Sequence, residues 1–192
     1  YSCSFNNLTL PCVTAYAIIC YCLLLLRCPL PMIDLSLALF IAVETCPEPP
    51  YYPVVAAWTL PDGSIKSSLI LADDNWPPHL CFSDHISDET ITSLGHSVKD
   101  VLLEMNDDLD ASHVVGHSDF SPAQGLEHLV DALDIELSFE ISTTQQDISE
   151  LLGHDWRDEL QDLAHETGLD LLQAEDQVRL MQLCWARRSD IL

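Results

Sequence analysis

Alternating apolar and polar blocks divide the chain into predicted strands and helices. Residues 35–44 (LSLALFIAVE) are almost continuously apolar, which is typical of a strand that is buried on both faces. Two shorter apolar runs, 54–60 and 65–71, flank a Pro-Asp-Gly turn, and this combination predicts a β-hairpin. We therefore expect three antiparallel strands in this part of the chain.

Helical spacing begins after residue 85. Ser87 is a predicted N-cap, and the helix after it presents one apolar face, formed by Val98, Val101, Leu102, Met105 and Leu109. The pattern then predicts a strand at 112–116, a helix at 125–133, a strand at 137–141, and helices at 156–166 and 171–188. Gly168 separates the last two helices and is a predicted C-cap.

The order of these elements predicts the fold class. Antiparallel strands that are followed by alternating helices and strands favour an α/β domain, with a mixed sheet and helices on its faces. At 192 residues and 48% hydrophobic content, the chain is long enough for one such domain with a buried core.

Residues 1–31 differ from the rest of the chain in composition. They contain no Asp or Glu, a single basic residue at Arg27, and a continuous, mainly apolar run at 13–26. The run is shorter than the ~20 residues that a transmembrane helix needs, and no basic residue precedes it as in a signal peptide. We expect two parts: 1–31, an upstream extension that precedes a natural start at Met32 or else a membrane anchor, and the domain 32–192.

The charge of the chain is strongly negative. It contains 31 acidic and 7 basic residues, for a formal net charge of -24. Such a surface repels phosphate groups and lacks the basic patch that is typical of nucleic-acid-binding proteins. The charge therefore indicates solubility, a salt-rich milieu or a basic protein partner.

Cysteine usage indicates the compartment. Five of the eight cysteines lie in the first 28 residues, and no Cys-x₂-Cys pair occurs, so a structural zinc site is not expected. The three others are scattered through 32–192, which favours a reduced cytoplasmic location. If residues 1–31 act as an anchor, the alternative is a membrane-anchored protein.

Several strings resemble the DnaQ-like 3′–5′ exonucleases of the ribonuclease H-like superfamily. FIAVETCPEPPYYPVVAAWTLPDG resembles that family's first hairpin, and ISDET with the helix after it resembles the next motif. HSDF and LLQAEDQVRLMQLCWA resemble the later motifs, so the resemblance spans about residues 38–186. It implies a ribonuclease H-like mixed sheet, in which three antiparallel strands precede alternating helices and strands.

The resemblance also implies a chemistry. That family hydrolyses phosphodiester bonds with two divalent ions, Mg²⁺ or Mn²⁺, which are held by four carboxylates beside a His or Tyr base. Glu44 and Asp176 match carboxylate positions, so both are predicted catalytic residues and metal ligands. Asp119 and Glu127 lie near the place of the middle carboxylate, and Asp119 is the third predicted metal ligand.

Only part of that site is present. Ala42 stands where the family has its first Asp, Leu171 where it has its His, and the middle position falls near Ala123 or Gln124. Two divalent ions bring more charge than two carboxylates neutralise, and the loss of even an outer-shell partner costs roughly 10–100-fold in metal affinity or activity. Catalysis is therefore expected to be weak or lost.

Two functions follow from the sequence. The first is metal-dependent 3′–5′ exonucleolytic hydrolysis of nucleic acid, which the resemblance implies and the net charge disfavours. The second is a non-catalytic, acidic protein-interaction module on the same fold, with a basic protein as its partner. A membrane is a partner only if residues 1–31 are a genuine anchor.

Overall fold

A computed structural model describes residues 38–77, 82–117, 122–133, 135–143 and 156–189. The strands are β1 (Leu39–Thr45), β2 (Pro53–Thr59), β3 (Ile65–Leu69), β4 (His113–Gly116) and β5 (Glu140–Thr143). The helices are α1 (Asp88–Leu94), α2 (Val98–Leu109), α3 (Pro122–Leu133), α4 (Trp156–Thr167) and α5 (Ala174–Ser189). The described residues all belong to one compact unit, Ser36–Leu192.

The five strands form one mixed sheet in the order β3-β2-β1-β4-β5. β1 pairs antiparallel with β2, which pairs antiparallel with β3, whereas β4 runs parallel to both β1 and β5. The predicted α/β class, with a hairpin and a mixed sheet, is confirmed. β1 is the central strand, and its first five residues are all buried, as its continuous apolar sequence predicts.

Alternate residues of β1 contribute to two separate hydrophobic clusters, because successive side chains of a strand point to opposite faces. Phe40 and Ala42 pack with apolar residues of α4 and α5. Leu39, Ile41 and Val43 pack on the other face with apolar residues of α2 and α3. The sheet is therefore covered by helices on both faces.

The helix predicted after Ser87 is in fact two helices, α1 and α2. Between them the chain approaches β3: the His96 amide donates to the Leu69 carbonyl at 2.8 Å, and the Leu71 amide donates to the His96 carbonyl at 2.9 Å. Glycine suits position 95 because a Cβ there would lie 2.4 Å from the Ile91 carbonyl oxygen, to which the Gly95 amide donates, and 3.0 Å from Leu71 Cγ. The prediction of one helix was wrong because helical apolar spacing continues across the break, while strand contacts are not visible in a local pattern.

The remaining predicted elements exist with shifted ends. The predicted strand at 137–141 lies at Glu140–Thr143, and the helix predicted to begin at residue 171 begins at Ala174. Gly168 has a φ of +74° and its amide donates to Ala164 at 2.9 Å, so its prediction as a C-cap is confirmed. Element ends depend on capping contacts, which local periodicity reports poorly.

No helix among the described residues is long and apolar enough to cross a membrane. Residues 1–31, for which a membrane anchor or an upstream extension is predicted, lie outside the described residues, as does the predicted boundary at residue 32. Both predictions therefore stay predictions.

Candidate functional site

Glu44 lies near the end of β1 and is half-buried. Its Oε1 accepts a hydrogen bond of 2.7 Å from Ser83 Oγ, and its carboxylate also accepts one from the backbone amide of Ala174, the first residue of α5. Burial raises the pKa of Glu44, and the bond from Ser83, nearby His85 and the Ala174 amide offset this only in part. A carboxylate at a helix N-terminus is favourable, so Glu44 helps to fix the start of α5 against the sheet.

A cavity of about 260 Å³ opens beside Glu44. Its apolar lining comes from β2, β3 and the segment before α1, and consists of Val55, Leu69 and Ile86. Its polar lining comes from β1, β3, the same segment and the start of α5, and consists of Glu44, Ser67, His85, Gln173 and Glu175, with Ala174 beside them. The site is therefore an apolar recess with acidic groups at two sides.

Glu175 forms one acidic side of this cavity from the first turn of α5. Its Oε2 accepts a hydrogen bond of 3.3 Å from Ser67 Oγ, which joins α5 to β3. Its Oε1 accepts a bond of 2.9 Å from Arg179 Nη2, one helical turn further along. Arg179 is not one of the residues that line the cavity.

Asp176 lies in the same turn of α5 but does not line the cavity. Its Oδ2 accepts a hydrogen bond of 2.9 Å from the backbone amide of Asp170, and Arg179 Nη1 lies 3.8 Å from its Oδ1. A carboxylate that takes up a free amide ahead of a helix stabilises the start of that helix. The described contacts therefore give Asp176 a structural role.

Two of the three predicted metal ligands, Glu44 and Asp176, lie in the described part of the chain. Glu44 and Asp176 are both near the start of α5, whereas Asp119 lies outside the described residues. Within the described ranges, no group of three or more His, Cys, Asp or Glu side chains could hold a metal ion. The carboxylates that are described therefore do not fit a centre for Mg²⁺ or Mn²⁺, which needs oxygen ligands arranged about one point.

Two of the positions at which the sequence departs from the exonuclease pattern, Ala42 and Leu171, are packed against apolar residues in the structure. Ala42 is 2% exposed within the hydrophobic cluster below α5. Leu171 is partly buried and packs against the same cluster. Both residues therefore continue the core, which explains why neither is polar.

Sequence reasoning missed His85, Ser83 and Ser67 as residues of the site. His85 and Ser83 lie in the segment before α1, about forty residues beyond Glu44, and Ser67 lies on a different strand. Their spacing in sequence carries no sign of their proximity. One local signal existed: the Ser-Asp-His-Ile-Ser stretch is polar, follows an apolar segment and includes the N-cap Ser87, which marks an exposed turn.

The chain is similar in fold to a solved structure. No protein-family model matches the chain, and no curated protein matches it. Among solved structures, it is similar to one described as the yeast NOT1 MIF4G domain co-crystallized with CAF1. The TM-score is 0.53 at 14% identity, over 80% of this chain and 79% of the other. At this identity the similarity concerns the fold alone.

The predicted membership of the DnaQ-like exonuclease family is wrong by these comparisons, since the similar solved structure is described as a NOT1 MIF4G domain and no family model supports the exonuclease motifs. The physical reason lies in the strings themselves. Apolar strands joined by loops and polar turns are signals of hairpins in general, so these strings indicate packing and not a particular chemistry. The residues that would report chemistry are largely replaced, as at Ala42 and Leu171.

Proposed function

We propose that this chain is a non-catalytic protein-interaction module that binds a basic partner protein. One observation carries the proposal: Glu44 and Asp176, the two predicted catalytic carboxylates, are engaged in holding the start of α5. Glu44 accepts bonds from Ser83 and from the Ala174 amide, and Asp176 accepts one from the Asp170 amide. Because both carboxylates accept hydrogen bonds from the protein's own donors, we assign them a role in stabilising the fold and not in catalysis.

The charge of the chain supports a basic partner. With a formal net charge of -24, the protein attracts polycations over a distance set by the ionic strength, about 8–10 Å under physiological conditions. The same charge opposes the approach of a nucleic-acid backbone, because phosphate binding relies on Lys and Arg contacts. A basic protein therefore fits the surface better than DNA or RNA does.

The similar solved structure is itself a complex of two proteins. It describes a domain of one protein co-crystallized with a second protein. The partner of the present chain is proposed from charge and not from that structure, since 14% identity concerns the fold alone. The structure confirms an α/β domain with a mixed sheet. The more specific expectation of a ribonuclease H-like sheet stays a prediction.

Metal-dependent hydrolysis of nucleic-acid phosphodiester bonds is the second candidate. The observation in its favour is a carboxyl group of raised pKa in a cavity, since groups with perturbed pKa values are frequent in catalytic sites. His85 and Glu175 lie in the same cavity. The described carboxylates do not form a metal centre, so this candidate ranks below the first.

One experiment separates the two candidates. The full chain is incubated with end-labelled single-stranded DNA and RNA in Mg²⁺ and in Mn²⁺, beside the Glu44→Ala and Asp176→Ala variants. We expect no turnover above buffer for any of the three proteins. Turnover by the wild type that either substitution abolishes would overturn the non-catalytic proposal and establish the second candidate.

A second experiment tests the partner. Fluorescence anisotropy measures binding of a labelled, lysine-rich 20-residue peptide at 20 mM and 300 mM NaCl, with a glutamate-rich peptide of equal length as the matched control. We expect binding of the basic peptide alone, weakened at least tenfold by the higher salt. No binding of the basic peptide at low salt would overturn the proposed function.

A further inference from the structure

The cavity beside Glu44 is smaller than a typical small-molecule site. Small-molecule sites occupy roughly 300–1,000 Å³, and this cavity has a volume of about 260 Å³. Its lining combines an apolar part (Val55, Leu69 and Ile86) with carboxylates at Glu44 and Glu175. A long aliphatic side chain with a positive end is complementary to both parts, because its methylenes bury against apolar surface while its charged end meets the carboxylates.

The hydrogen bonds of the two carboxylates distinguish between lysine and arginine. Arginine is favoured where a carboxylate offers both oxygens to its planar guanidinium group. Glu44 already uses Oε1 for Ser83, and Glu175 uses one oxygen for Ser67 and the other for Arg179. Neither carboxylate therefore presents two unengaged oxygens, and a compact ammonium group, which donates single hydrogen bonds in several directions, fits better.

We propose that this cavity receives one lysine side chain from a basic segment of the partner protein, with its ammonium group between Glu44 and Glu175 and its methylenes on Val55 and Leu69. The inference rests on the proposed function and adds to it a specific site and a specific side chain. The raised pKa of Glu44 agrees with this occupant, because a cation would relieve the cost of burying that carboxylate.

The bond between Arg179 and Glu175 does not block this site. It is an exposed pair at i and i+4, and such pairs stabilise a helix only weakly. An arriving ammonium group can share Glu175 with Arg179 or replace it. Ser67 provides a further oxygen at the same side of the cavity.

NMR titration of the ¹⁵N-labelled full chain tests the proposal. The probes are blocked pentapeptides of glycine and alanine with lysine, arginine or norleucine at the centre. We expect the lysine peptide to shift the amides of Ser67 and Glu175 with a Kd on the order of 1 mM, which corresponds to about 4 kcal/mol. The arginine peptide should bind at least threefold more weakly, and the norleucine peptide should cause no shift.

Variants locate the ammonium group. Glu44→Gln and Glu175→Gln should each weaken lysine binding by roughly 3–10-fold, as expected for single charge contacts that are partly exposed. Glu136→Gln makes the same change of charge at an exposed residue that does not line the cavity, and should leave the Kd unaltered. Glu175 is itself exposed, so its variant tests the site even if Glu44→Gln perturbs folding.

Each alternative outcome has a distinct meaning. Equal shifts from the lysine and norleucine peptides, or unaltered affinity in the Glu175→Gln variant, would overturn the lysine site. If the lysine-rich 20-residue peptide binds the wild type and both variants alike, the proposed function stands and this site fails. If no basic peptide binds, both fail. Broadening of the Ser67 and Glu175 amides by Mn²⁺, without a response to lysine, would overturn the site in favour of a metal.

Discussion

Single residues at the start of α5 determine what this site can do. Glu44 shows the effect best, because its carboxylate is half-buried, caps a helix and lines the cavity at the same time. The helix N-terminus and Ser83 favour its charged form, whereas burial favours its neutral form. Burial has the larger effect, so the protein binds a proton at this residue more readily than its unfolded chain does.

This imbalance predicts a pH dependence of stability. The pKa of Glu44 is raised above its ordinary value of 4.5 in the folded protein. There is therefore a pH range, beginning near pH 4.5, in which the folded protein keeps this carboxyl group protonated while the unfolded chain has lost the proton. As pH rises through that window, the proton is lost and the stability associated with it is lost too. We expect the wild type to lose free energy of unfolding relative to Glu44→Gln from pH 4.5 upward, measured by urea unfolding with circular dichroism.

The matched control for this prediction is Glu136→Gln, which removes an exposed carboxylate. Its difference from the wild type should stay nearly constant over the same pH range. A wild type that gains stability relative to Glu44→Gln as pH rises would show that the bonds from Ser83 and the Ala174 amide outweigh burial, contrary to the expected sign.

At the scale of elements, the site depends on close packing of helices against the central strand. α5 crosses one face of the sheet, with Gln182 reaching the turn at Gly63, to whose carbonyl it donates at 2.9 Å. On the other face, α3 approaches β1 at Gly125, where a Cβ would lie 2.5 Å from Val43 Cγ1. Residues of β1 therefore have little freedom on either face.

Gly125→Ala tests this close approach. Alanine favours a helix by about 1 kcal/mol over glycine, so an exposed position would gain stability. At Gly125 the added methyl must displace Val43, which is 3% exposed, and overpacking of this kind costs about 1–3 kcal/mol. We expect net destabilisation in urea unfolding, and recovery of most of it in the double variant Val43→Ala, Gly125→Ala. A Gly125→Ala variant that is more stable than the wild type would contradict the close packing of Gly125 against Val43.

A charged cluster joins β3 to α2 on the face opposite to α5. Lys66 Nζ lies 2.6 Å from Asp108 Oδ2 and 2.8 Å from Glu104 Oε1. The Trp58 indole also donates to Asp108 Oδ2, at 3.0 Å. Desolvation alone would lower the pKa of Lys66, but the bonds to Asp108 and Glu104 outweigh it and the pKa is raised.

The two carboxylates of this cluster should differ in their effect on stability. Asp108 accepts from both Lys66 and the buried Trp58, and its side chain is 23% exposed against 42% for Glu104. We expect Asp108→Ala to lower the free energy of unfolding by about 1–3 kcal/mol, because it leaves the indole donor unsatisfied. Glu104→Ala should cost at most about 1 kcal/mol, as an exposed pair. Equal losses in chemical denaturation would refute a special role for the indole bond.

At the scale of the whole molecule, the net charge affects solubility, stability and binding. A formal net charge of -24 produces repulsion that is stronger in the compact state than in the unfolded chain. The same charge provides the long-range attraction for a basic partner, so solubility, repulsion and binding have a common origin. The cavity beside Glu44 would then add selectivity to an attraction that is itself unspecific.

Screening of this repulsion predicts that salt stabilises the protein. Between 10 mM and 200 mM NaCl the Debye length falls from about 30 Å to below 10 Å, so repulsion between distant carboxylates is largely removed. We expect Tm in calorimetry to rise by roughly 2–4 °C, which corresponds to about 1 kcal/mol for a domain of this size. KCl at equal ionic strength serves as the control and should give the same rise, because screening depends on ionic strength. A falling Tm would mean that local ion pairs such as Lys66–Asp108 dominate.

The sequence by itself determined the elements whose cause is local. The apolar run of β1, the Pro-Asp-Gly turn of the hairpin and the C-cap at Gly168 each follow from side-chain hydrophobicity or backbone freedom within a few residues. The α/β class followed from their order. The charge of the chain, and the expectation of a basic partner, also needed nothing beyond composition.

Only the tertiary structure decided what depends on contacts between distant segments. The break between α1 and α2 arises because His96 pairs with β3, and the cavity arises because Glu44, Ser67 and Glu175 meet from three separate elements. Periodicity describes which face of an element is buried, but not which other element covers it. For this reason the sequence predicts that Glu44, at the end of a strand, is a metal ligand, whereas in the structure Glu44 lies at the start of α5 and stabilises it.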